Sequence, residues 1–131
     1  MAKILVIDDD PAICRLVVRT LASSGHDLIE AKDGEEGLNR FRAEHPDLVV
    51  TDILMPRQEG IATIMEMRRE EPSVAIIAMS GSGEGFGVNY LDYAGKLGAD
   101  AVLPKPFRPA ELKALVNEVL NAADSDRDVA E

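Results

Sequence analysis

The residues able to do chemistry in this 131-residue chain stand where apolar runs stop. Asp8, Asp9 and Asp10 follow Lys3-Ile4-Leu5-Val6-Ile7, and Asp52 closes Leu48-Val49-Val50-Thr51. Ser80 follows Val74-Ala75-Ile76-Ile77-Ala78-Met79, and Lys105 follows Ala101-Val102-Leu103-Pro104. A carboxylate at the end of a buried run is costly unless it is paired, binds a metal or caps a helix. A cap does not explain Asp52, because the next helical pattern begins only near Gly60. Carboxylates drawn together repel and raise one another's pKa, a conflict that a divalent cation resolves. An all-oxygen ligand set completed by water suits Mg²⁺, and with no His or Cys beside it zinc is not expected. In such a site an aspartate accepts a phosphoryl group as an acyl phosphate. The metal and Lys105 neutralise the phosphoryl oxygens, and the Ser80 hydroxyl donates to another of them. Taken singly, Lys105 is a solvated lysine and Ser80 a turn cap. At successive strand ends those plainer roles do not account for the set.

Such a site needs elements that bring the ends together. Asp10 and Pro11 open a helix, as cap and first residue. Ile13, Leu16, Val17, Thr20 and Leu21 form its apolar stripe, and Gly25 fits its stop. Leu28 to Ala31 reads as a weak strand. Asp33-Gly34 turns the chain into an amphipathic helix from Glu35 to Arg42 with Leu38 and Phe41 inward. A helix from about Gly60 places Ile61, Ile64 and Met65 on its inner face. After the glycine-rich run 81–87 a short helix spans roughly Asn89 to Leu97. Pro109 opens the last helix, with Leu112, Leu115, Val116 and Val119 inward. Strands alternating with helical patterns, five of each, mean βαβ units and a parallel sheet covered on both faces. All carboxyl ends of a parallel sheet lie along one edge, where open α/β sheets bind ligands. Asp8, Asp9, Asp52, Ser80 and Lys105 collect there.

Composition narrows the partners. Hydrophobic residues at 46% and aromatics at 4% describe the aliphatic core of one domain. Twenty-four acids against fourteen bases, a net charge of −10, argue against direct contact with nucleic acid or an anionic membrane. Cys14, the only cysteine, cannot form an internal disulfide and reads as a small core hydrophobe. No signal-peptide pattern opens the chain and no apolar run reaches membrane length, so a cytoplasmic protein is expected. Residues 1–121 read as the domain and 122–131 as an acidic polar tail or linker. A stand-alone module and a piece of a longer protein both stay open.

Three stretches resemble, in order, the receiver domain of two-component response regulators. They are Ile4-Leu5-Val6-Ile7-Asp8-Asp9-Asp10, the run from Pro46 through Asp52 to Pro56, and the run from Gly98 through Lys105-Pro106 to Phe107. The resemblance covers about residues 2 to 121. It implies an α/β, flavodoxin-like (βα)5 fold, a doubly wound five-stranded parallel sheet of order 2-1-3-4-5. It implies that Asp52 is the phosphoacceptor, and that Asp8, Asp9, Asp52 and the Leu54 main-chain carbonyl hold Mg²⁺. It further implies that the Ser80 hydroxyl turns toward the phosphoryl group, that Lys105 contacts it, and that Lys105-Pro106 is cis. The implied partners are a sensor histidine kinase or histidine phosphotransfer protein and an unknown downstream protein target. The implied role is signalling rather than enzymatic, with self-catalysed phosphoryl transfer and slow autodephosphorylation as its only chemistry.

The chain departs from the family in three places. Val102 stands where Tyr or Phe is usual, Gly81 stands where Ala is usual, and the stretch from Ser80 to Lys105 is a few residues longer. Without an aromatic at 102, the expected switch is ordering and displacement of loop 81–88 and the helix after it, with Phe86 or Tyr90 as packing partners. The glycine-rich run lacks a Lys-Ser/Thr ending and does not follow the first strand, so it is no nucleotide loop. Two other function classes fit these residues less well. A phosphatase working through an aspartyl phosphate generally needs an Asp two residues past the nucleophile, where this chain has Leu54. A redox or ligand-binding module would not need three acids facing a lysine.

Overall fold

Short runs of β-branched and aliphatic residues become strands: β1 (Lys3–Ile7), β2 (Asp27–Ala31), β3 (Leu48–Asp52), β4 (Ala75–Ser80) and β5 (Ala101–Pro104). They pair in parallel as one sheet in the order β2-β1-β3-β4-β5, the flavodoxin-like order. Around them lie helices α1 (Pro11–Ala22), α2 (Gly34–Glu44), α3 (Glu59–Glu70) and α4 (Pro109–Ala130). This computed structural model describes residues 2–53, 59–80, 96 and 98–130, without the side chains of Glu59, Ser80 and 124–130. The glycine-rich run, the helix expected over 89–97, and the proposed packing by Phe86 or Tyr90 lie outside the described residues.

The period-2 alternation of the strands divides the core in two. Ile4, Val6, Leu48, Val50, Ile77 and Met79 face α1 and α4, meeting Val17, Leu21, Leu112 and Val116. Leu5, Ile7, Val49, Ile76 and Ala78 face α2 and α3, meeting Phe41, Ile64 and Met67. β1, β3 and β4 are covered on both faces, which is why they read as continuous apolar runs. β2 lies at one edge of the sheet with only Ala31 fully buried, which accounts for its weaker pattern.

Local chemistry sets the helix ends. Asp10 caps α1 by accepting from the Ala12 amide at 2.9 Å, with Pro11 in the first turn. Asp33 caps α2 by accepting from the Glu36 amide at 2.8 Å, and His45 ends that helix in the left-handed region at φ 49°. Cys14 is buried on α1 against the sheet. Burial, followed by its hydrogen bond with Glu30, pushes its thiol up to about 12.

Two helices differ from the sequence reading. On α3, Met65 is 54% exposed, whereas Thr63, Ile64 and Met67 are buried and Ile61 is half-buried. The inner face is therefore the 60-64-67 row, and Met65 lies about 100° round the helix from Ile64. The rotation follows from Gly60, whose bare Cα sits against the backbone of Asp52 and Ile53. On α4, helical backbone continues through Ala130, so residues 122–130, read as a tail or linker, are helical. Ala122 and Ala123, strong helix formers, carry it past Leu120. No helix among the described residues is long and apolar enough to cross a membrane.

Candidate functional site

β1 and β3 are neighbours, so their carboxyl ends deliver Asp8 and Asp52 side by side. The Asp8 amide extends the pairing with β2 by donating to the Ala31 carbonyl at 3.2 Å. Asp8 is 2% exposed and Asp52 6%, while Asp9 faces solvent. One carboxylate oxygen from each of Asp8, Asp9 and Asp52 lies within 4.8 Å of the others. Among the described residues this is the one group of three or more His, Cys, Asp or Glu side chains able to close on a metal ion.

Lys105 enters from the other side. It follows β5 and precedes a cis peptide bond to Pro106. Its Nζ donates to Asp8 Oδ2 at 2.9 Å and to Asp52 Oδ2 at 3.0 Å. The other Asp8 oxygen accepts the Asp10 amide at 2.9 Å, so the residue that caps α1 also orients the carboxylate. Burial pushes the Asp8 carboxyl above its ordinary value, and the Asp10 amide and Lys105 only partly counter it. Burial alone would lower Lys105. Its hydrogen bonds to Asp8 and Asp52 outweigh that and hold it above the usual lysine value. The ammonium is therefore charged where it pairs with Asp8 and Asp52. The three clustered carboxylates and their hard oxygen donors fit a divalent cation such as Mg²⁺. An open depression of about 480 Å³, lined in part by Asp8, Asp9, Arg15, Lys32 and Glu36, leads solvent to the cluster.

The structure thus brings together Asp8, Asp9, Asp52 and Lys105. Ser80 is the last residue of β4, opposite Pro104 in the register, and its hydroxyl is outside the described atoms. Leu54 also falls outside the described residues. Val102 is half-buried, stands opposite Ala78, and packs with the α2–α3 side of the core. Sequence reasoning missed Gly60. A Cβ there would lie 2.1 Å from the Asp52 carbonyl oxygen and 2.8 Å from the Ile53 Cα. The available signal was a glycine at the head of the helix that follows the acidic strand end. It also missed Arg68, which bonds to main-chain carbonyls at the far edge of the sheet.

Comparison with known proteins agrees with this geometry. The family described as the response regulator receiver domain matches residues 4–117. A probable transcriptional regulator, ycf27, of Porphyridium aerugineum is 41% identical over 122 residues, covering 93% of this chain and 49% of that protein. The alkaline phosphatase synthesis transcriptional regulatory protein PhoP of Bacillus subtilis is 37% identical over 123 residues, covering 93% of this chain and 50% of that protein. The chain spans about half the length of these curated relatives. The crystal structure of NtrX from Brucella abortus in complex with ADP matches with a TM-score of 0.90 at 28% identity, over 98% of this chain and 29% of that one. A CheY-like response regulator receiver domain protein from Methanospirillum hungatei matches with a TM-score of 0.86 at 26% identity, over 96% and 98% of the two chains. With its sheet order, its acidic strand ends and its lysine all in place, the chain belongs to the response regulator receiver domain family of two-component regulatory systems.

Proposed function

We propose that this chain is the phosphoacceptor module of a two-component phosphorelay. It takes a phosphoryl group from a phosphohistidine of a sensor histidine kinase or a histidine phosphotransfer protein. The observation that carries this reading is the Lys105 ammonium held 2.9 Å from Asp8 and 3.0 Å from Asp52 beside the Asp9 carboxylate. A carboxylate oxygen of Asp52 attacks phosphorus. The new P–O bond forms as the P–N bond to the donor imidazole breaks, and the imidazole leaves with the electron pair and takes up a proton. Lys105 offsets the negative charge that gathers on the transferring group. Asp8, oriented by the Asp10 amide, and Asp9 would hold Mg²⁺ together with Asp52 and the Leu54 carbonyl. Bound there, the ion neutralises charge on the phosphoryl oxygens. The acyl phosphate adds charge and acceptor oxygens beside Lys105 and the Ser80 position, and the altered surface recruits a downstream protein. The module signals in the cytoplasm rather than turning over a substrate. Leu54 occupies the place where an aspartyl-phosphate phosphatase generally carries its acid/base carboxylate.

Incubation with a small acyl phosphate, with and without Mg²⁺, followed by intact-protein mass measurement tests this. Wild type should gain one phosphoryl group, removable by hydroxylamine, only when Mg²⁺ is present, and Asp52→Asn should gain none. Labelling of Asp52→Asn at the wild-type rate, or undiminished labelling in the presence of a chelator, would overturn the reading.

A further inference from the structure

The site must admit an anion although the chain is acidic. A net charge of −10 repels a phosphodonor at long range. The way in is the depression of about 480 Å³ beside Asp8 and Asp9. Those two acids line it together with Glu30, Glu36 and two bases, Arg15 and Lys32. The elements fix where the bases stand. Arg15 lies on α1 one turn past Pro11, on the same face of the helix. Lys32 follows Ala31, the last residue of β2, whose carbonyl accepts the Asp8 amide at 3.2 Å. Helix α1 and the β1–β2 pairing therefore carry both bases to the mouth of the acidic cluster.

These two bases are uncommitted. Elsewhere Lys3, Arg42, Arg68, Arg69 and Lys105 hold carboxylates. Among the described residues, the side chains of Arg15 and Lys32 make no hydrogen bond or ion pair, although Glu30 and Glu36 line the same depression. Both are exposed, so their charge is left to act on whatever enters.

We propose that Arg15 and Lys32 form an electropositive entry for a small dianionic acyl phosphate, which phosphorylates Asp52 without a partner protein. This rests on Asp52 being the phosphoacceptor. An Asp52 oxygen forms the new P–O bond, the P–O bond to the acyl group breaks, and the acyl carboxylate leaves with the electron pair. The two bases act through their field, raising the concentration of the donor at the mouth rather than stabilising the reacting atoms. The same field acts oppositely on the other solute that the site needs, because it repels a divalent cation. Screening confines both effects to about 10 Å at 0.1 M salt, so they belong to the mouth and not to the net charge of the chain.

The test follows labelling of wild type, Arg15→Gln, Lys32→Gln and the double variant by acetyl phosphate at saturating Mg²⁺ and low salt. Mg²⁺ affinity is measured separately by calorimetry. Arg40→Gln and Lys113→Gln, exposed and outside the depression, make the same change of charge elsewhere. At low donor concentration each variant at the mouth should label about threefold more slowly and the double variant about tenfold, with the gap closing as the donor saturates. Mg²⁺ should bind the double variant more tightly, the opposite sign. Both shifts should fade above about 0.5 M salt, and phosphoramidate, with one negative charge fewer at neutral pH, should be slowed less. Wild-type labelling by the double variant at low donor overturns the entry role and leaves the Asp52 assignment standing. Equal slowing in Arg40→Gln and Lys113→Gln assigns the effect to net charge and overturns the proposal as well. A deficit that persists at saturating donor also overturns it, because the bases would then act on the reaction itself. Failure of wild type to label overturns both this proposal and the reading of Asp52.

Discussion

Asp8 shows how a single carboxyl couples cation binding to stability. Burial raises it above the usual carboxylate range, so the folded chain without a cation holds that proton more tightly than the unfolded chain does. A raised group contributes stability that is complete below its unfolded pKa and is lost as pH rises through the folded value. A cation held by Asp8, Asp9 and Asp52 has the opposite dependence, because it requires ionised ligands. The thermal shift on adding Mg²⁺ should therefore be negligible on the acid side of the carboxylate range. It should grow toward neutral pH, reaching about 2.7 kcal/mol of stabilisation when Mg²⁺ is a hundredfold above its Kd. Melting curves with Mg²⁺ and with chelator across that range measure it, and a shift independent of pH would exclude Asp8 from the ligands. This much of the site was legible from residue types. Three acids and one lysine at strand ends demand charge compensation wherever the strands are parallel. The Asp10 amide was not legible as an orienting contact, because main-chain donors carry no residue-type signal.

Arg68 ties elements together at the edge of the sheet opposite Asp52. Its guanidinium donates to the Gly98 carbonyl at 2.9 and 2.8 Å, to the Pro72 and Val74 carbonyls at 2.7 Å each, and to the Asp100 carboxylate at 2.9 Å. Asp100 in turn accepts the Ile76 amide at 2.8 Å. The end of α3 is thus bound to the starts of β4 and β5. Arg68→Ala strands several carbonyls and should lower stability by roughly 2–3 kcal/mol. Well below the melting temperature it should leave the rate of Asp52 labelling unchanged. Denaturant midpoints and labelling rates check this together, and a rate that fell in step with stability would couple the two edges. Arg68 escaped the sequence reading because most of its partners are main-chain carbonyls, which carry no residue-type signal. Met65 was misread for a related reason. Periodicity gives the width of a helical stripe, but the rotation of α3 was decided by a backbone contact at Gly60. The strands suffered no such ambiguity, because a run buried on both faces needs no choice of face.

At the scale of the molecule, one set of strands serves two cores. Leu112 packs on the α1–α4 side and Met67 on the α2–α3 side, each with no exposed surface. Truncating either to alanine should cost roughly 2–5 kcal/mol. Because both sides share β1, β3 and β4, either loss should lower one common transition rather than release half of the molecule. Coincident unfolding curves from far-ultraviolet and aromatic signals are the expected result, and separated curves would show two cooperative units. The same shared sheet bears on Cys14. Its thiol is buried and pushed up to about 12, so at neutral pH it is almost wholly the unreactive protonated form. It lines the open depression beside Asp8 and Asp9, so protonation rather than enclosure keeps its modification slow, and the rate should rise with pH. A cysteine placed at an exposed site such as Glu118 would meanwhile take a spectroscopic probe with no competing thiol to remove.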